Sequence, residues 1–464
     1  MPLSIELRAV NLATRAERFS YGKKLRQHVP RERHADLKGV GSRSAVAILA
    51  ESDPERVPEL VAERYQRMMV NPFAFLRGAA AVMASDLAHQ PAAGVKVQAC
   101  GDSHLMNFGA FSTPEDNILF DVNDFDETIP NVDFTVDLKR LAASVAVAAT
   151  ANGETKSRAR ALAAATVAAY RKHVFALLDL SPLEIWHSRI DLEQQLKSIG
   201  NKTLRRKLAM IIGKARGEGL EKDDNFPRLI RGSELRIADK PPTIFHLDAN
   251  ANAAHKFDAD RAFTMYRDCL GPDRRHILDR HKIVDLVFKA VGVGSVGTFC
   301  CIALLMTGDS ESLFLQIKQA QRSVLERLGG GIAYVGHQGR RVVEGQQMMQ
   351  AASDIFLGYT QDDESGRQFY VRTLKNHRLG GISEISEAQA LVDYARLCGR
   401  TLARAHARSG DPALIAGYMG KSEAMDDALA SFAIAYAAQT AVDHAALVKV
   451  RSSGDKKKIK LVAA

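Results

Sequence analysis

Apolar residues recur at helical spacing through most of the first 95 residues. The stretch LVAERYQRMMVNPFAFLRGAAAVMASDLA, residues 60–88, shows this period most clearly. The helix should break at Asn71 and Pro72, because the residue before a proline avoids the helical conformation. We therefore predict a helical leading segment over residues 1–95.

The pattern changes to strand-like alternation at about residue 95. The run VKVQAC alternates, and after a GDSH turn two further apolar runs follow, NFGAF and ILFDV. Alanine-rich helices come next, and helical or irregular sequence continues to about residue 280. Residues 96–280 are therefore predicted to form a helical unit with a small β insert.

The second half of the chain begins with a different pattern. Strand-like runs separated by glycine and Gly-Asp turns fill LVFKAVGVGSVGTFCCIALLMTGDSESLFLQIKQA, which predicts a β-meander. A helical stretch and a further strand at RQFYVRTL follow, and long helices close the chain. We predict a β-rich unit over residues 281–380 and C-terminal helices over 381–464, which gives an α+β fold.

Composition and charge narrow the class of protein. The 464 residues are 46% hydrophobic and 25% charged, which is ordinary for a globular protein. We find no leader and no apolar run long enough to span a bilayer. The five cysteines have no CxxC spacing, which is typical of reduced thiols, so a cytoplasmic protein is expected. The chain has a net charge of +9, but its basic stretches contain no interleaved aromatic residues. An anionic small molecule is therefore favoured over nucleic acid as the binding partner.

A glycine-rich stretch, VGVGSVGT, holds Gly292, Gly294, Ser295 and Gly297. In a dinucleotide-binding fold these glycines would open a helix. The sequence that follows, TFCCIALLMTGD, reads instead as the second strand of a hairpin, as in protein kinases, where such a loop covers nucleotide phosphates. That use requires a lysine on the next strand, and Lys318 in LFLQIKQA is suitably placed. The alternative is a simple glycine turn beside a surface lysine.

Polar residues concentrate in CGDSHLMNFGAF and in the later NDFDE. The kinase catalytic loop has an Asp that accepts the hydroxyl proton and, five positions later, an Asn that holds magnesium. Asp102 and Asn107 have this spacing, and Asp124 precedes a phenylalanine as in the metal-binding D-F-G motif. We predict catalytic roles for Asp102, His104 and Lys318, metal binding by Asn107, Asp124 and Asp126, and nucleotide binding by Gly292, Gly294, Ser295, Gly297, Lys318 and Glu344.

The two stretches also resemble a known group of enzymes. GDSHLMN followed by NDFD is similar to HGDxHxxN and IDFD of aminoglycoside and choline phosphotransferases, and Asp137 stands where that group begins a helix. Cys100 departs from the group, which commonly has His there. The catalytic loop precedes the glycine loop, the reverse of the kinase order, so the resemblance implies a circularly permuted, two-lobed kinase-like fold with extra helical segments at both ends. The helix VDYARLCGRTLARAHARSGD would then lead into VKVQACGD.

Over nearly its full length the chain resembles the bacterial family of domain of unknown function 2252. The resemblance rests on an ordered set of motifs, among them RYQRM, PFAFLRG, CGDSHLMNFG, FDVNDFDET, DLKRLAAS, VGVGSVGT and VVEGQQMMQAASD. It implies a kinase-like fold and does not imply a substrate.

The expected function is transfer of a phosphoryl group from Mg-ATP, with ATP and Mg²⁺ as cofactors, to an unidentified small-molecule or protein acceptor. The same metal ligands would serve adenylyl transfer. Two alternatives stay open: a two-metal phosphoesterase built from Asp102, His104, Asp121, Asp124 and Asp126, and a non-catalytic nucleotide-binding protein. A kinase would also pair Lys318 with a helix glutamate, for which Glu344 is preferred to Glu326. Three arginines either hold an anionic substrate or cover a helix interface: Arg64, Arg67 and Arg77.

Overall fold

The computed structural model describes residues 12–113, 115, 117–215, 226–231, 235–241, 243–246, 257–290, 292–294, 296–374 and 388–452. Ser295, one of the predicted nucleotide-binding residues, lies outside these described residues.

The leading segment is helical, as predicted. Its helices are α1 (Arg15–Leu25), α2 (Ala45–Ala50), α3 (Pro58–Met69), α4 (Pro72–Gly78) and α5 (Ala80–Leu87), with 3-10 turns at Arg31–Ala35, Val40–Ser42 and Asp53–Glu55. The predicted break is confirmed, since Pro72 is the first residue of α4 and the Asn71 side chain accepts a hydrogen bond from the Ala74 amide at 2.8 Å.

The β insert consists of two antiparallel pairs. Strand β1 (Lys96–Ala99) pairs with β4 (Ile129–Asp133), and between them β2 (Phe108–Ser112) pairs with β3 (Ile118–Val122). The loop between β1 and β2 and the loop between β3 and β4 contain the predicted catalytic and metal-binding residues. Strand β4 was not predicted, because its sequence IPNVD includes a proline and does not alternate.

Helices follow the insert. They are α6 (Phe134–Ala151), α7 (Lys156–Leu177), α8 (Pro182–His187), α9 (Leu192–Ser198) and α10 (Lys202–Ala215). Almost every residue of α6 is buried, which places this helix at the centre of the helical unit. A hairpin of β5 (Leu229–Arg231) and β6 (Leu235–Ile237) then precedes β7 (Ile244–Phe245), in a region that we predicted to be helical or irregular.

The large sheet is built mainly from the predicted meander. After α11 (Ala259–Cys269) and α12 (Pro272–Leu278) come β8 (Lys282–Lys289), β9 (Cys300–Met306), β10 (Ser312–Gln319), a 3-10 turn at Val324–Leu328, α13 (Gln338–Met349), β11 (Gly358–Gln361) and β12 (Gln368–Thr373). The strand order is β11-β12-β10-β9-β8-β7, and all pairs are antiparallel. Lys318 on β10 stands opposite Cys300 on β9 and Tyr370 on β12.

The C-terminal helices pack on the helical unit that follows the β insert. They are α14 (Ala388–Ser409), α15 (Pro412–Met419) and α16 (Ala424–Ser452), and they share one hydrophobic core with α6, α7 and the β insert. The end of α14 lies beside β1, since the Gln98 amide donates to Ser409 Oγ at 3.1 Å. This approach of the end of LARAHARSGD to VKVQAC was predicted and is confirmed.

The chain is thus a mixed α+β protein with small sheets. Within the described ranges, none of the helices has the combination of length and apolar character that crossing a bilayer requires.

Candidate active site

The loop after β1 is held by one buried carboxylate. Asp137, in the first turn of α6, accepts hydrogen bonds from the amides of Cys100 at 2.8 Å and Gly101 at 3.0 Å. From α14, His406 Nε2 lies 3.2 Å from the same carboxylate. Gly101 needs to be glycine, because its φ is +84° and a Cβ would lie 2.3 Å from the Glu127 carbonyl oxygen. The loop is therefore fixed although Cys100 replaces the histidine of related motifs.

Asn107 joins the two acidic loops. Its side-chain amide donates to the carbonyl oxygens of Asp102 at 2.9 Å and Asp124 at 3.0 Å, and its Oδ1 accepts from the Asp124 amide at 2.8 Å. The Asn107 side chain is buried, so these bonds are shielded from water. Asp102 and Asp124 are thereby held at fixed positions relative to each other.

The Asp102 carboxylate is oriented by an arginine of α6. Its Oδ1 accepts from Arg140 Nε at 2.8 Å and Nη2 at 2.5 Å, while its Oδ2 lies 3.6 Å from His104 Nε2. Burial raises the pKa of Asp102, and the Arg140 guanidinium opposes that rise. His104 accepts from the Met106 amide through Nδ1 at 3.1 Å, so it contributes to the shape of the loop.

Lys318 reaches from the large sheet to the acids of the second loop. Its Nζ contacts Asp126 Oδ2 and lies 3.6 Å from Asp124 Oδ1, and Tyr370 donates to Asp126 Oδ1 at 2.8 Å. Lys318 is 3% exposed. Burial lowers the pKa of Lys318, but the Asp124 and Asp126 carboxylates more than offset this effect. The pKa of Lys318 is therefore raised above its usual value, and the amine is charged.

The expected ion pair between Lys318 and a helix glutamate is wrong. Glu344 is exposed and bonds to Arg340 at 2.7 Å and to the Tyr334 hydroxyl at 3.1 Å, and Glu326 bonds to Arg322. The reason lies in the orientation of α13: Val342, Gln346 and Met349 are buried at helical spacing, and Glu344 is on the opposite side. The predicted nucleotide-binding role of Glu344 therefore has no support from its position.

Arg341 is the residue of α13 that faces the site, and it was not predicted from the sequence. It is 1% exposed and donates to the carbonyl oxygens of Thr128, of Asp126 at 2.9 Å and of Gln321 at 2.7 Å. It therefore joins the second acidic loop to the segment after β10. Beside it, burial raises the pKa of Glu127 to about 7, although the carboxylate accepts from the Val324 amide at 2.6 Å.

The glycine stretch is the loop of a hairpin between β8 and β9, as predicted, and does not open a helix. Gly292 and Gly297 have φ of +71° and +88°, which favours glycine at both positions. Residues of the leading segment hold this loop: Arg67 donates to the Gly292 carbonyl at 2.8 Å and the Val57 amide donates to the Gly297 carbonyl at 2.7 Å. Arg67 thus covers the interface between α3 and the glycine loop.

One cleft of about 910 Å³ brings these parts together. Its lining includes residues of the first loop, the second loop, the glycine loop and the leading segment: Asp102, His104, Asn107, Asp124, Asp126, Glu127, Gly292, Gly294, Arg56, Arg64 and Arg77. Lys318 lies behind Asp124 and Asp126, with its amine against their carboxylates. The residues that we predicted for nucleotide, metal and catalysis therefore converge, with three exceptions: Glu344, Gly297, which packs against Arg56 and is not part of the lining, and the undescribed Ser295.

The carboxylates are not arranged as a preformed metal cluster. Asp121 is 1% exposed and accepts from Arg404 Nη2 at 2.5 Å and from the Ala351 amide at 2.9 Å, so its carboxylate is used within the core. In the part of the chain that the structure describes, no group of three or more His, Cys, Asp or Glu side chains could hold a metal ion. A metal here would need oxygen ligands from a bound substrate as well.

Most of the residues that support the site were not identified from sequence. Asp137 had a signal, its place in the DLKRLAAS motif, and Arg140 stands one turn later on the same helix face. Arg341, Arg404 and His406 had none, because each acts through contacts with residues more than 200 positions away.

The comparisons with known proteins place the chain in a family. A family model described as "Uncharacterized protein conserved in bacteria (DUF2252)" matches residues 56–450. No curated protein and no solved structure gave a match. The matched range spans most of the chain, including both acidic loops, the glycine hairpin and Lys318. This chain belongs to the DUF2252 family, as its ordered motifs predicted.

Proposed function

We propose that the protein is a phosphotransferase that binds Mg-ATP in the cleft and transfers its γ-phosphoryl group to an acceptor hydroxyl. The observation that carries the proposal is the meeting of Asp102, Asn107, Asp124 and Lys318 beside a glycine hairpin. Phosphoryl transfer needs few covalent contributions from a protein, and it depends on positioning and on charge stabilisation by groups of these types.

The order of elements around Lys318 supports a kinase-like nucleotide unit. A glycine hairpin, β8–β9, is followed by a strand with a buried lysine, β10, and then by α13. Kinases place their glycine loop, phosphate-binding lysine and following helix in this order. The contact between Ser409 at the end of α14 and Gln98 in β1 supports a circular permutation, since it brings the end of α14 to the strand that leads into the proposed catalytic loop.

The residues in the cleft fit a magnesium ion bound together with phosphates. Asp124 and Asp126 provide carboxylate oxygens, the ligand type that Mg²⁺ prefers. Asn107, which we predicted as a third metal ligand, uses its side-chain amide to bond the backbone of both acidic loops. Mg²⁺, when bound, would neutralise charge that develops on the transferred group. The Lys318 amine would contact phosphate oxygens, since it is charged and already adjoins the proposed metal ligands.

Asp102 is positioned to accept the proton of the acceptor. The acceptor oxygen forms a bond to the γ-phosphorus while the bond from that phosphorus to the bridging oxygen breaks, and its electron pair leaves with ADP. The hydroxyl proton passes to the Asp102 carboxylate. Arg140 holds Oδ1 of that carboxylate, and the raised pKa of Asp102 favours proton acceptance.

Lys318→Met tests nucleotide binding. Because a ligand that binds only the native state stabilises it, Mg-ATP should raise the Tm of the wild-type protein. Lys318→Met should lose most of this rise, since it removes the only charge that we assign to phosphate binding on β10. The control is Lys282→Met, an exposed lysine on β8, which should keep it. Equal Mg-ATP responses in both variants would contradict the role of Lys318.

Labelled ATP then identifies the group transferred. In cell extract, label from γ-labelled ATP should move to an acceptor while label from α-labelled ATP stays in ADP. Transfer of the α-label to the acceptor would show that the protein transfers an adenylyl group and not a phosphoryl group. Binding of Mg-ATP without transfer of either label would indicate a non-catalytic nucleotide-binding protein.

A further inference from the structure

The leading helical segment forms one wall of the cleft next to Asp102. Arg140 Nη2 donates to Asp102 Oδ1 at 2.5 Å and to the Leu76 carbonyl oxygen at 2.8 Å. Helix α4 is therefore fixed directly beside Asp102, the proposed proton acceptor. Arg77, the next residue, lines the cleft, and its positive charge lowers the pKa of Asp102 against the larger effect of burial. An acceptor that reaches Asp102 therefore lies against α4.

This wall carries two further arginines, of which Arg56 forms no ion pair with a carboxylate of the described residues. Arg56 donates to neutral oxygens, the Val296 carbonyl at 2.5 Å and Ser52 Oγ at 3.4 Å. Arg64 is 3% exposed, and although it bonds Asp53 at 3.0 Å, its Nε is buried and has no acceptor among the described residues. Burial, together with the neighbouring Arg64, lowers the pKa of Arg56 to about 10. An anion between these groups would offset the cost of burying them.

The carboxylates on the rim of the same cleft already have partners. Glu51 pairs with Arg327, Glu55 accepts from Gln321 Nε2 at 2.9 Å, and Glu326 pairs with Arg322 at 2.6 Å. The first two contacts connect the leading segment to the residues after β10, on the opposite side of the cleft. The cleft volume of about 910 Å³ lies in the range of small-molecule sites, which favours a small acceptor over a folded protein.

Building on the function proposed above, we infer that the acceptor is a small anionic molecule with a free hydroxyl. Its phosphate or carboxylate group would lie among Arg56, Arg64 and Arg77, and its hydroxyl would face Asp102. Guanidinium groups suit this task, because their planar set of donors matches the oxygens of phosphate and carboxylate.

Inorganic phosphate provides the test, added to protein that is saturated with Mg²⁺ and a non-hydrolysable ATP analogue. The analogue fills the γ-phosphate position, so further binding of phosphate reports on a separate anion site. We expect phosphate to raise the Tm by a further 2 °C or more, on the order of the effect of a saturating ligand. Arg77→Gln should abolish this second rise and keep the first, and Arg77→Lys should retain part of it.

The control is Arg158→Gln, which removes an exposed arginine of α7 and should respond like the wild type. If the analogue raises the Tm of the wild-type protein and phosphate does not raise it further, this inference is overturned and the proposed function is not. Displacement of the analogue by phosphate would also overturn it, because the arginines would then serve the nucleotide. No response to the analogue would instead contradict the proposed function.

Discussion

Backbone groups, more than pairs of charged side chains, fix the individual residues of the candidate site. Asn107 bonds the backbone of both acidic loops, Asp137 bonds two amides of the first loop, and Arg341 bonds three carbonyl oxygens. The spacing of Asp102 and Asn107 was readable from the sequence because both residues belong to one loop. The supporting residues were not, because their contacts depend on the folding of distant segments.

A residue far from the cleft gives a pH prediction. His34 is fully buried, its Nε2 lies 2.6 Å from the Tyr418 hydroxyl, and burial lowers its pKa to about 3. The unfolded chain therefore binds a proton at His34 below pH 6.5 that the folded chain does not bind, so stability falls as the pH falls from 6.5 toward 3.

His34→Gln should remove this part of the pH dependence. Between pH 7.5 and pH 5, the wild-type protein should lose on the order of 2 kcal/mol more unfolding free energy than the variant. Urea unfolding at the two pH values measures the difference. As a control, His28→Gln alters an exposed histidine of the same segment and should leave the slope unchanged. Parallel pH profiles for wild type and His34→Gln would show that His34 titrates normally in the folded state.

At the scale of elements, alternation of apolar residues identified the strands that carry the site. β1, β2, β3, β8, β9, β10 and β12 lie where the pattern predicted strands. β7 has two residues, too few for a period, and β11 has the sequence GYTQ, which does not alternate between apolar and polar residues, so both strands were missed. The helix α13 was predicted, but its orientation was not, since orientation depends on which face the sheet and the β insert cover.

Arg341 should anchor α13 to the site. Arg341→Leu would leave buried carbonyl oxygens of Thr128, Asp126 and Gln321 without their donor, and each such loss costs about 1–3 kcal/mol. We expect a loss of unfolding free energy on the order of 3 kcal/mol. Chemical denaturation measures it.

Arg340→Leu is the matched control for that variant. Arg340 is the preceding residue and has a side chain that is 55% exposed and paired with Glu344, so its loss should cost less than about 1 kcal/mol. Equal losses for the two variants would contradict the assignment of Arg341 as the anchor.

At the scale of the whole molecule, segments from both ends of the chain complete the helical unit. α14 packs on α7 and contacts β1, and His406 reaches Asp137 beneath the loop that follows β1. This closeness is what a circularly permuted kinase-like chain requires. The resemblance to a circularly permuted kinase predicted that α14 lies beside β1, whereas the hydrogen bond that joins them was found only in the structure.

The shared core predicts that α6 and α14 unfold together. Native-state hydrogen exchange should give the slowest amides of both helices similar opening free energies, although about 250 residues separate them in sequence. Helix α1, which buries only Gly22, serves as a reference for local opening. Opening of α14–α16 at a clearly lower free energy than α6 would indicate that the C-terminal helices form a separate unit.

We propose that one cleft holds Mg-ATP between the glycine hairpin and the two acidic loops. The most direct measurement is a crystal structure with Mg²⁺ and a non-hydrolysable ATP analogue. We predict phosphate oxygens at the Lys318 amine, a magnesium ion on Asp124, and the γ-phosphate on the side of the cleft nearer Asp102. A nucleotide bound elsewhere, with the contacts of Lys318 to Asp124 and Asp126 intact, would contradict binding of Mg-ATP in this cleft.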